Sequence, residues 1–290
     1  MIGAALFWSS LGLLGRLAMG LGVDALSLLI WRTVFALGLL VPALLLVRPS
    51  SLSTSARSIP LWAALGLCQA LDYVAFFQSI TYLPIGVATS VFYVYPVLAA
   101  LLAWAVLRER FSVRKVGALV AAVSGCILVA GLGGRGGVVS PAGVGWALLA
   151  ASSYAGYALL VKVAVRDRPP GQVLVYSLAF TLLFLLLALP LGHGALLEAH
   201  PARAWGVLLL LAIGPTLLGY GLFALALQRI DLGTASIVAT LEPALASVLA
   251  FAVLGERLVP LQILGLALVV VGAALTLSRN VEPSRPDRLR

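Results

Sequence analysis

Three ionisable side chains lie well inside long apolar stretches of the sequence: Arg32, Asp72 and Glu242. Placing a charged side chain in hydrocarbon costs about 3 kcal/mol or more, so such residues usually face a cavity or an ionic partner. A carboxylate in that position can bind a substrate amine or exchange a proton. We expect Asp72 to face a cavity, and we interpret Arg32 as a structural charge. For Glu242, a ligand role and a structural pairing with Arg32 are both open.

Aromatic rings that carry hydroxyl groups lie deep in the same stretches. Tyrosine near the end of a membrane helix is usually an interfacial anchor, but most of these tyrosines are too far from the ends for that explanation. Aromatic and neutral polar groups suit a pocket for a small amphipathic solute, whereas a phosphate would require several Lys or Arg residues. Together with Asp72 and Glu242, the residues expected to bind substrate are Ser10, Tyr73, Phe76, Tyr93, Tyr95, Tyr154, Tyr157 and Tyr220.

Two prolines, Pro96 and Pro243, fall near the middle of apolar stretches. Proline lacks an N–H and clashes with the carbonyl four residues earlier, so each should bend its helix and free the carbonyls of Phe92 and Ala239. We expect these positions to act as hinges. A static packing kink is the alternative.

Familiar catalytic and nucleotide-binding signatures are missing from the sequence. It contains no G-x-S-x-G, no H-E-x-x-H and no G-x-x-x-x-G-K segment. His193 and His200 belong to one loop, and Cys68 and Cys126 lie in apolar stretches, where cysteine is usually a small packing residue. We therefore expect no catalytic residue, no metal site and no cofactor, and this chain alone is no ATP-driven pump.

The composition indicates that the bilayer is the solvent of this protein. Of its 290 residues, 62% are hydrophobic and only 10% are charged, which is too apolar for a soluble domain of this size. The formal charge of +9 could attract nucleic acid. Most basic residues lie between the apolar stretches, however, where membrane proteins keep them. We expect a lipid partner and no nucleic acid.

A membrane-spanning helix needs about 20 mostly apolar residues. Ten stretches qualify, and we number them spans 1 to 10. Barrel strands would be shorter and would alternate in polarity, so the sequence predicts an all-α integral membrane protein. The spans are expected at roughly 2–19, 24–47, 60–82, 85–107, 113–131, 141–162, 171–190, 203–229, 233–254 and 259–277.

The chain contains an internal repeat with an offset of 147 residues. Segments 96–110 and 243–257 match at ten of fifteen positions, and both begin with proline and end with Glu-Arg. Because the offset is half of the chain, each copy contains five spans. The expected units are a first repeat at 1–131, a Gly-rich connecting loop at 132–140, a second repeat at 141–277 and a polar cytoplasmic tail at 278–290.

Lys and Arg residues are distributed unequally between the two sides of the predicted membrane. With a cytoplasmic N-terminus, fourteen of them lie inside and four outside. This bias predicts that both termini are cytoplasmic. Because five is an odd number, the second copy must then enter the membrane from the opposite side. We predict two five-helix inverted-topology repeats around a central cavity, an arrangement typical of secondary transporters.

Several of these features occur together in one known family. They are the ten spans, the two five-span copies, Glu242-Pro243 in span 9, the Glu-Arg pair that closes each repeated segment, and Arg32 in span 2. In this combination the chain resembles the drug/metabolite transporter superfamily, in its EamA group. The resemblance implies that spans 1, 3, 4, 6, 8 and 9 surround the cavity while spans 5 and 10 lie to the side. Family members mostly export amino acids and other small metabolites. Tyr95 stands where Glu is frequent in the family, which weakens a mechanism driven by paired carboxylates.

The sequence thus predicts a secondary transporter, and not an enzyme, in the cell inner membrane. We expect it to export amino acids and related small metabolites by alternating access, as a monomer. The aromatic residues favour the amino-acid exporter branch, including exporters of aromatic amino acids. Proton antiport and uniport are both open. One alternative is a broad exporter of lipophilic cations that uses cation–π contacts. Another is a non-transporting scaffold or receptor, which would have no continuous polar cavity.

Overall fold

The computed structural model describes residues 1–130, 140–189, 200–254 and 259–277. These residues form helices and short connections, without a strand among them. Ten helices are long and apolar enough to cross a membrane, which confirms the predicted all-α membrane fold. Some predictions concern residues outside the described ranges: the Gly-rich connecting loop, His193, the second Glu-Arg pair at 256–257 and the tail.

The helices follow the predicted spans closely, but spans 4, 8 and 9 are each divided. Span 4 consists of α4 and α5, span 8 of α9, a π-helix and α10, and span 9 of α11 and α12. Two short 3₁₀ turns, Pro49–Leu52 and Ala56–Ser58, precede α3. The helices are α1 Ile2–Gly20, α2 Ala25–Val47, α3 Ile59–Tyr82, α4 Ile85–Phe92, α5 Tyr95–Leu107, α6 Val113–Ala130, α7 Pro141–Asp167, α8 Pro170–Leu187, α9 Ala202–Leu211, π-helix Ala212–Gly219, α10 Tyr220–Arg229, α11 Leu232–Ala239, α12 Leu241–Leu254 and α13 Pro260–Leu277.

Polar side chains mark where several helices begin. The Asp24 carboxylate accepts hydrogen bonds of 3.0 Å from the backbone N–H groups of Leu26 and Ser27 at the start of α2. Asp231 accepts a 2.7 Å bond from the Thr234 N–H at the start of α11. These oxygens satisfy N–H groups that have no acceptor within their own helix. In a chain this apolar, such caps position the helix ends.

Both prolines of the repeat lie just after a break in their span. Span 4 is interrupted at residues 93–94 and span 9 at residue 240. The two breaks therefore begin at equivalent positions, 93 and 240, which are 147 residues apart. Pro96 and Pro243 then fall in the first turn of α5 and α12. N–H groups in the first turn have no acceptor within their own helix, so proline costs no helical hydrogen bond there. At the break in span 9 the backbone carbonyl of Thr240 accepts a hydrogen bond from the Cys126 thiol, with a sulfur–oxygen distance of 3.7 Å.

A π-helical segment in the middle of span 8 was not predicted from the sequence. It runs from Ala212 to Gly219 and contains Pro215. Here the Thr216 hydroxyl donates a 2.8 Å hydrogen bond to the carbonyl of Leu211. This carbonyl is available because Pro215, four residues later, has no N–H to donate. The mid-span proline was the available signal, because π segments accommodate interrupted helical bonding and often occur at functional sites.

Helices α6 and α13, which form spans 5 and 10, pack closely because glycines lie at their contact. A Cβ atom on Gly125 would lie 2.7 Å from the carbonyl oxygen of Gly265, and one on Gly272 would lie 2.7 Å from that of Ala118. Contacts this close let the two backbones approach, as is common between membrane helices. Gly125 and Gly272 occupy equivalent positions in the two copies, so the contact is reciprocal.

Candidate functional site

A cavity of about 390 Å³ lies between the helices. Its wall is built from the C-terminal halves of α1, α3 and span 9 and from the N-terminal halves of α2 and span 4. Because consecutive spans cross the bilayer in opposite directions, all these halves lie toward the same end of the bundle, which we call the cavity end. Span 2 and the last residues of span 5, Val129 and Ala130, also line the cavity. The wall is therefore wider than the six spans implied by the family resemblance.

Most of the residues expected to bind substrate lie in this wall. Pro243 lies there too, beside Glu242. Ser10 and Tyr157 do not line the cavity. The Ser10 hydroxyl donates a 2.7 Å hydrogen bond to the Phe7 carbonyl, and its neighbour Ser9 faces the cavity instead. The expected residues that line the wall are Asp72, Tyr73, Phe76, Tyr93, Tyr95, Tyr154, Tyr220 and Glu242.

Aromatic rings from four spans meet at the inner limit of the cavity. The rings of Tyr95 and Tyr154 are 4.7 Å apart between centroids at an interplanar angle of 86°. Phe92 lies 5.3 Å from Tyr95, and Trp8 lies 5.3 Å from Tyr220. Edge-to-face packing of this kind stabilises an aromatic cluster beyond the area it buries. Trp8 was not among the residues expected to bind substrate, although it lies between Phe7 and two serines in the same stretch.

A buried polar network lies behind the rings. The Tyr73 hydroxyl donates a 2.9 Å hydrogen bond to the Tyr220 hydroxyl. Gln69 donates to the Tyr73 oxygen at 3.1 Å and accepts a 2.8 Å bond from the Thr181 hydroxyl. Tyr73 and Tyr220 are equivalent residues of the two copies, 147 positions apart. The network joins spans 3, 7 and 8 and fixes the tyrosine rings at the cavity wall.

The three intramembrane charges all belong to the cavity wall. Arg32 is 2% exposed and Asp72 is 5% exposed, while Glu242 is half-buried. The Arg32 guanidinium carbon lies 4.3 Å from the centroid of the Tyr73 ring. Asp72 is close enough to interact electrostatically with both Arg32 and Glu242. The structure thus brings together one cation and two carboxylates that the sequence could place only in separate spans.

Three buried polar groups of the wall have no hydrogen-bond partner among the described residues. They are the Trp8 indole N–H, the Arg32 Nε–H and the Tyr95 hydroxyl. Buried polar groups in native proteins are almost always paired with protein atoms, water or ligand. All three belong to residues of the cavity wall, which therefore offers donors to a solute or to water.

At the opposite end of the bundle, which we call the far end, charged residues connect several spans. The Glu109 carboxylate, just after α5, accepts hydrogen bonds of 2.9 and 3.1 Å from the N–H groups of Leu232 and Gly233 at the start of α11. A carboxylate is favourable there because a helix N-terminus carries partial positive charge. In the sequence, Glu109 stands out only as part of the repeated Glu-Arg pair.

Lysine residues complete this far-end cluster, which comprises Glu109, Lys115, Lys162 and Asp231. Lys115 forms an ion pair with Asp231 and lies 3.9 Å from the Glu109 carboxylate. Burial raises the pKa of Asp231, but the Lys115 and Thr234 hydrogen bonds outweigh it and hold that pKa below its usual value. The cluster joins spans 4, 5 and 9.

Lys162 extends the far-end cluster to spans 6 and 8. Its ammonium group donates hydrogen bonds of 2.6 and 2.8 Å to the carbonyls of Leu227 and Ile230. These carbonyls lie at the C-terminal end of α10, where a cation is electrostatically favourable. The far end of the bundle is thus held together by charged contacts, whereas the cavity end is lined mainly by apolar and aromatic groups.

The chain matches known transporters over most of its length. It is 30% identical over 240 residues to a probable terminal-alkyne amino-acid exporter of Streptantibioticus cattleyicolor, covering 80% of this chain and 79% of that protein. It is 32% identical over 211 residues to the threonine/homoserine exporter RhtA of Escherichia coli K12, covering 71% and 68%. It is also 30% identical to the uncharacterized transporter YwfM of Bacillus subtilis, covering 93% and 89%.

A solved crystal structure with 21% sequence identity has the same fold, with a TM-score of 0.82 over 95% of each chain. The model of the EamA-like transporter family matches residues 1–131 and again residues 141–278. Two matches of this length cover most of the sequence, and the curated relatives carry the names of transporters and not of enzymes. The chain is a multi-pass membrane protein that belongs to the EamA-like transporter family.

Proposed function

We propose that this transporter exports amino acids and related small metabolites across the cytoplasmic membrane by alternating access. The observation that carries the proposal is the cavity, which combines an aromatic wall with the carboxylates of Asp72 and Glu242. The names of the relatives agree, since two of them are amino-acid exporters. A cavity of about 390 Å³ falls in the usual size range of small-molecule sites.

The proposed substrate is a small solute with an amine and an apolar part. Asp72 and Glu242 provide negative charge for the amine, while Phe76, Phe92 and Tyr95 provide ring surfaces for the rest of the molecule. A carboxylate in a site shielded from bulk water attracts an ammonium group much more strongly than a solvated one does. The tyrosine hydroxyls add groups that can donate or accept hydrogen bonds.

Three contacts support an inverted repeat. Tyr73 bonds to its own equivalent, Tyr220, and Gly125 approaches Gly265 while its equivalent Gly272 approaches Ala118, the equivalent of Gly265. A two-fold relation between two units produces this pattern, in which residue i meets j and the copy of i meets the copy of j. With five spans in each copy, such an axis would run in the membrane plane, as in many transporters.

The charge bias supports an orientation in which the far end and both termini are cytoplasmic. In that orientation the cavity faces the outside, and the far-end cluster closes the cytoplasmic side. Opening to the cytoplasm would require the ion pair of Lys115 with Asp231 and the contacts of Glu109 with α11 to separate. The breaks before Pro96 and Pro243 would let parts of spans 4 and 9 move while the rest of each span stays in place.

Counterflow in proteoliposomes tests the proposal. Vesicles loaded with unlabelled amino acids should accumulate labelled amino acid, while vesicles loaded with nucleobases should not. A dependence on an imposed pH gradient would indicate proton antiport, and its absence uniport. Uptake driven only by quaternary amines would instead select a multidrug exporter. Failure of every solute would favour a scaffold or receptor.

Glu242→Gln provides the sharpest variant. Removing the charge should weaken transport of amine-bearing substrates by roughly tenfold, equivalent to about 1.4 kcal/mol, while yield and melting temperature stay normal. Asp167→Asn is the matched control, because it removes an exposed carboxylate at the end of α7, outside the cavity. Unchanged kinetics in Glu242→Gln would remove this residue from the proposed site.

A further inference from the structure

Arg32 is buried in the cavity wall with part of its hydrogen-bonding capacity unused. It is 2% exposed, and its Nε–H has no partner among the described residues. A guanidinium carries five N–H donors and stays charged in proteins. Burying such a group is costly unless its donors find acceptors. The position therefore calls for an acceptor that the surrounding helices do not supply.

The neighbours of Arg32 fix its orientation without satisfying it. The guanidinium stacks on the Tyr73 ring at 4.3 Å, and Tyr73 is itself held by hydrogen bonds with Gln69 and Tyr220. Stacking uses the face of the guanidinium and leaves its N–H edge available in the plane. The Asp72 carboxylate offsets part of the positive charge of Arg32 but accepts no hydrogen bond from its Nε–H group. The result is a cation held in one orientation whose Nε–H has no partner among the described residues.

An anionic ligand group would complete this site. Carboxylates accept two parallel N–H bonds from one guanidinium, which is among the strongest pairings in proteins. Glu242 lines the same cavity and supplies the opposite charge. A solute that carries both an ammonium and a carboxylate could satisfy both residues, while a plain amine would leave Arg32 unpaired.

We propose that Arg32 binds the carboxylate of a zwitterionic substrate, so that the transporter selects α-amino acids over amines of the same shape. Glu242 then binds the ammonium group, and the aromatic wall receives the side chain. This assignment rests on the proposed function and refines it. It also replaces the purely structural role that we expected for Arg32 from the sequence.

The first test compares matched ligands on the unaltered protein. L-Phenylalanine and phenethylamine share ring and amine but differ in the carboxylate, and L-threonine and L-threoninol differ in the same way. Binding to the purified protein should be at least tenfold tighter for each amino acid than for its amine. Equal binding within both pairs would overturn the proposal without any variant.

The second test uses variants at arginines in different surroundings. Arg32→Gln should weaken amino-acid binding at least tenfold and leave amine binding within twofold, while Arg32→Lys should restore only part of the difference. Arg168→Gln is the control, because Arg168 also stacks on a ring, at 5.2 Å from Trp62, but lies outside the cavity wall. Arg16 lines the cavity as well, so loss of carboxylate preference in Arg16→Gln and not in Arg32→Gln would also overturn the assignment.

The outcomes separate this inference from the proposed function. If the protein transports amino acids and Arg32→Gln keeps the preference for the carboxylate, only the assignment of Arg32 fails. If neither amino acids nor amines bind or move, the proposed function fails and this inference fails with it. Equal loss of both ligand types in Arg32→Gln, at normal yield and melting temperature, would indicate a structural role for Arg32.

Discussion

At the scale of single residues, the hydrogen bond between Tyr73 and Tyr220 is central because it joins equivalent positions of the two copies. Breaking this bond would leave two buried hydroxyl groups to find other partners. Gln69 adds a second bond to Tyr73 but none to Tyr220 among the described residues. The two rings therefore contribute unequally although they occupy matching places.

This inequality gives a prediction for phenylalanine variants. Tyr220→Phe removes one hydrogen bond and should lower the free energy of unfolding by about 1 kcal/mol, and Tyr73→Phe should cost more because it removes two. The double variant should be no less stable than Tyr73→Phe alone, since both changes delete the same shared bond. Unfolding in detergent by a denaturant series measures these values. Tyr82→Phe, at a ring that is 51% exposed, is the control, and additive losses would contradict the pairing.

Residue-level orientation is also where the sequence was least informative. Adjacent residues of a helix point about 100° apart, so Ser9 lines the cavity and Ser10 does not. Span 2 is apolar on nearly all sides apart from Arg32, so hydropathy could not indicate which way that side chain faces. The depth of the charged residues in the membrane could be predicted from their positions within the spans. The side chains that surround them could not, because these depend on how each helix is rotated.

At the scale of elements, the packing of α6 on α13 depends on the absence of side chains. Gly125→Ala would place a methyl group 2.7 Å from the Gly265 carbonyl oxygen, and backbone atoms cannot rotate away. We expect the helices to separate and the free energy of unfolding to fall by about 1–3 kcal/mol. Gly117→Ala on the same helix meets open space and should be neutral or slightly stabilising. Equal stability of the two variants in thermal unfolding would refute the close contact.

The broken spans give a prediction about motion. Pro243→Ala should allow α11 and α12 to join into a straighter helix, and a transport barrier raised by about 1.4 kcal/mol would slow turnover roughly tenfold. Substrate affinity should change little, because the Pro243 ring is the only side chain of the wall that is altered. Pro42→Ala is the matched control, since α2 continues through Pro42 without a break. Normal turnover in Pro243→Ala would show that the break is static.

Elements differed in how well the sequence predicted them. The breaks of spans 4 and 9 could be predicted because proline has a fixed local effect and occurs at matching places in the two copies. The π-helix around Pro215 could not, since a mid-span proline permits a kink, a break or a widened turn, and neighbouring helices decide among them. The far-end cluster was also missed, because Glu109 and Asp231 are 122 positions apart in sequence and only folding brings them together.

At the scale of the whole molecule, the far-end cluster should make the stability of the fold sensitive to acid. The pKa of Asp231 is lowered in the fold, so its ionised form stabilises the folded protein at neutral pH. This contribution is complete above the unfolded pKa of about 4 and is lost as the pH falls through the lower folded value.

We therefore expect Asp231→Asn to melt at a lower temperature than the unaltered protein at pH 7 and to show a shallower loss of stability between about pH 5 and pH 3. Melting curves of the purified protein across this range measure the difference. Asp24→Asn is the control, because it keeps a good N-cap residue at the start of α2 and leaves the ion pair of Asp231 intact. Parallel pH profiles for all three proteins would contradict a role of this ion pair.

The ion pair of Lys115 with Asp231 has no equivalent at the matching positions of the other copy. The residues that correspond to Lys115 and Asp231 in the other copy are Gln262 and Pro84, which cannot form an ion pair. Dissolved salt weakens attraction between charges but has little effect on apolar packing. The two ends of the bundle should thus respond differently to the surrounding medium, and concentrated salt should loosen the far end more than the cavity end. Both halves match the same family model, yet Lys115 and Asp231 make the two ends unequal in their sensitivity to salt.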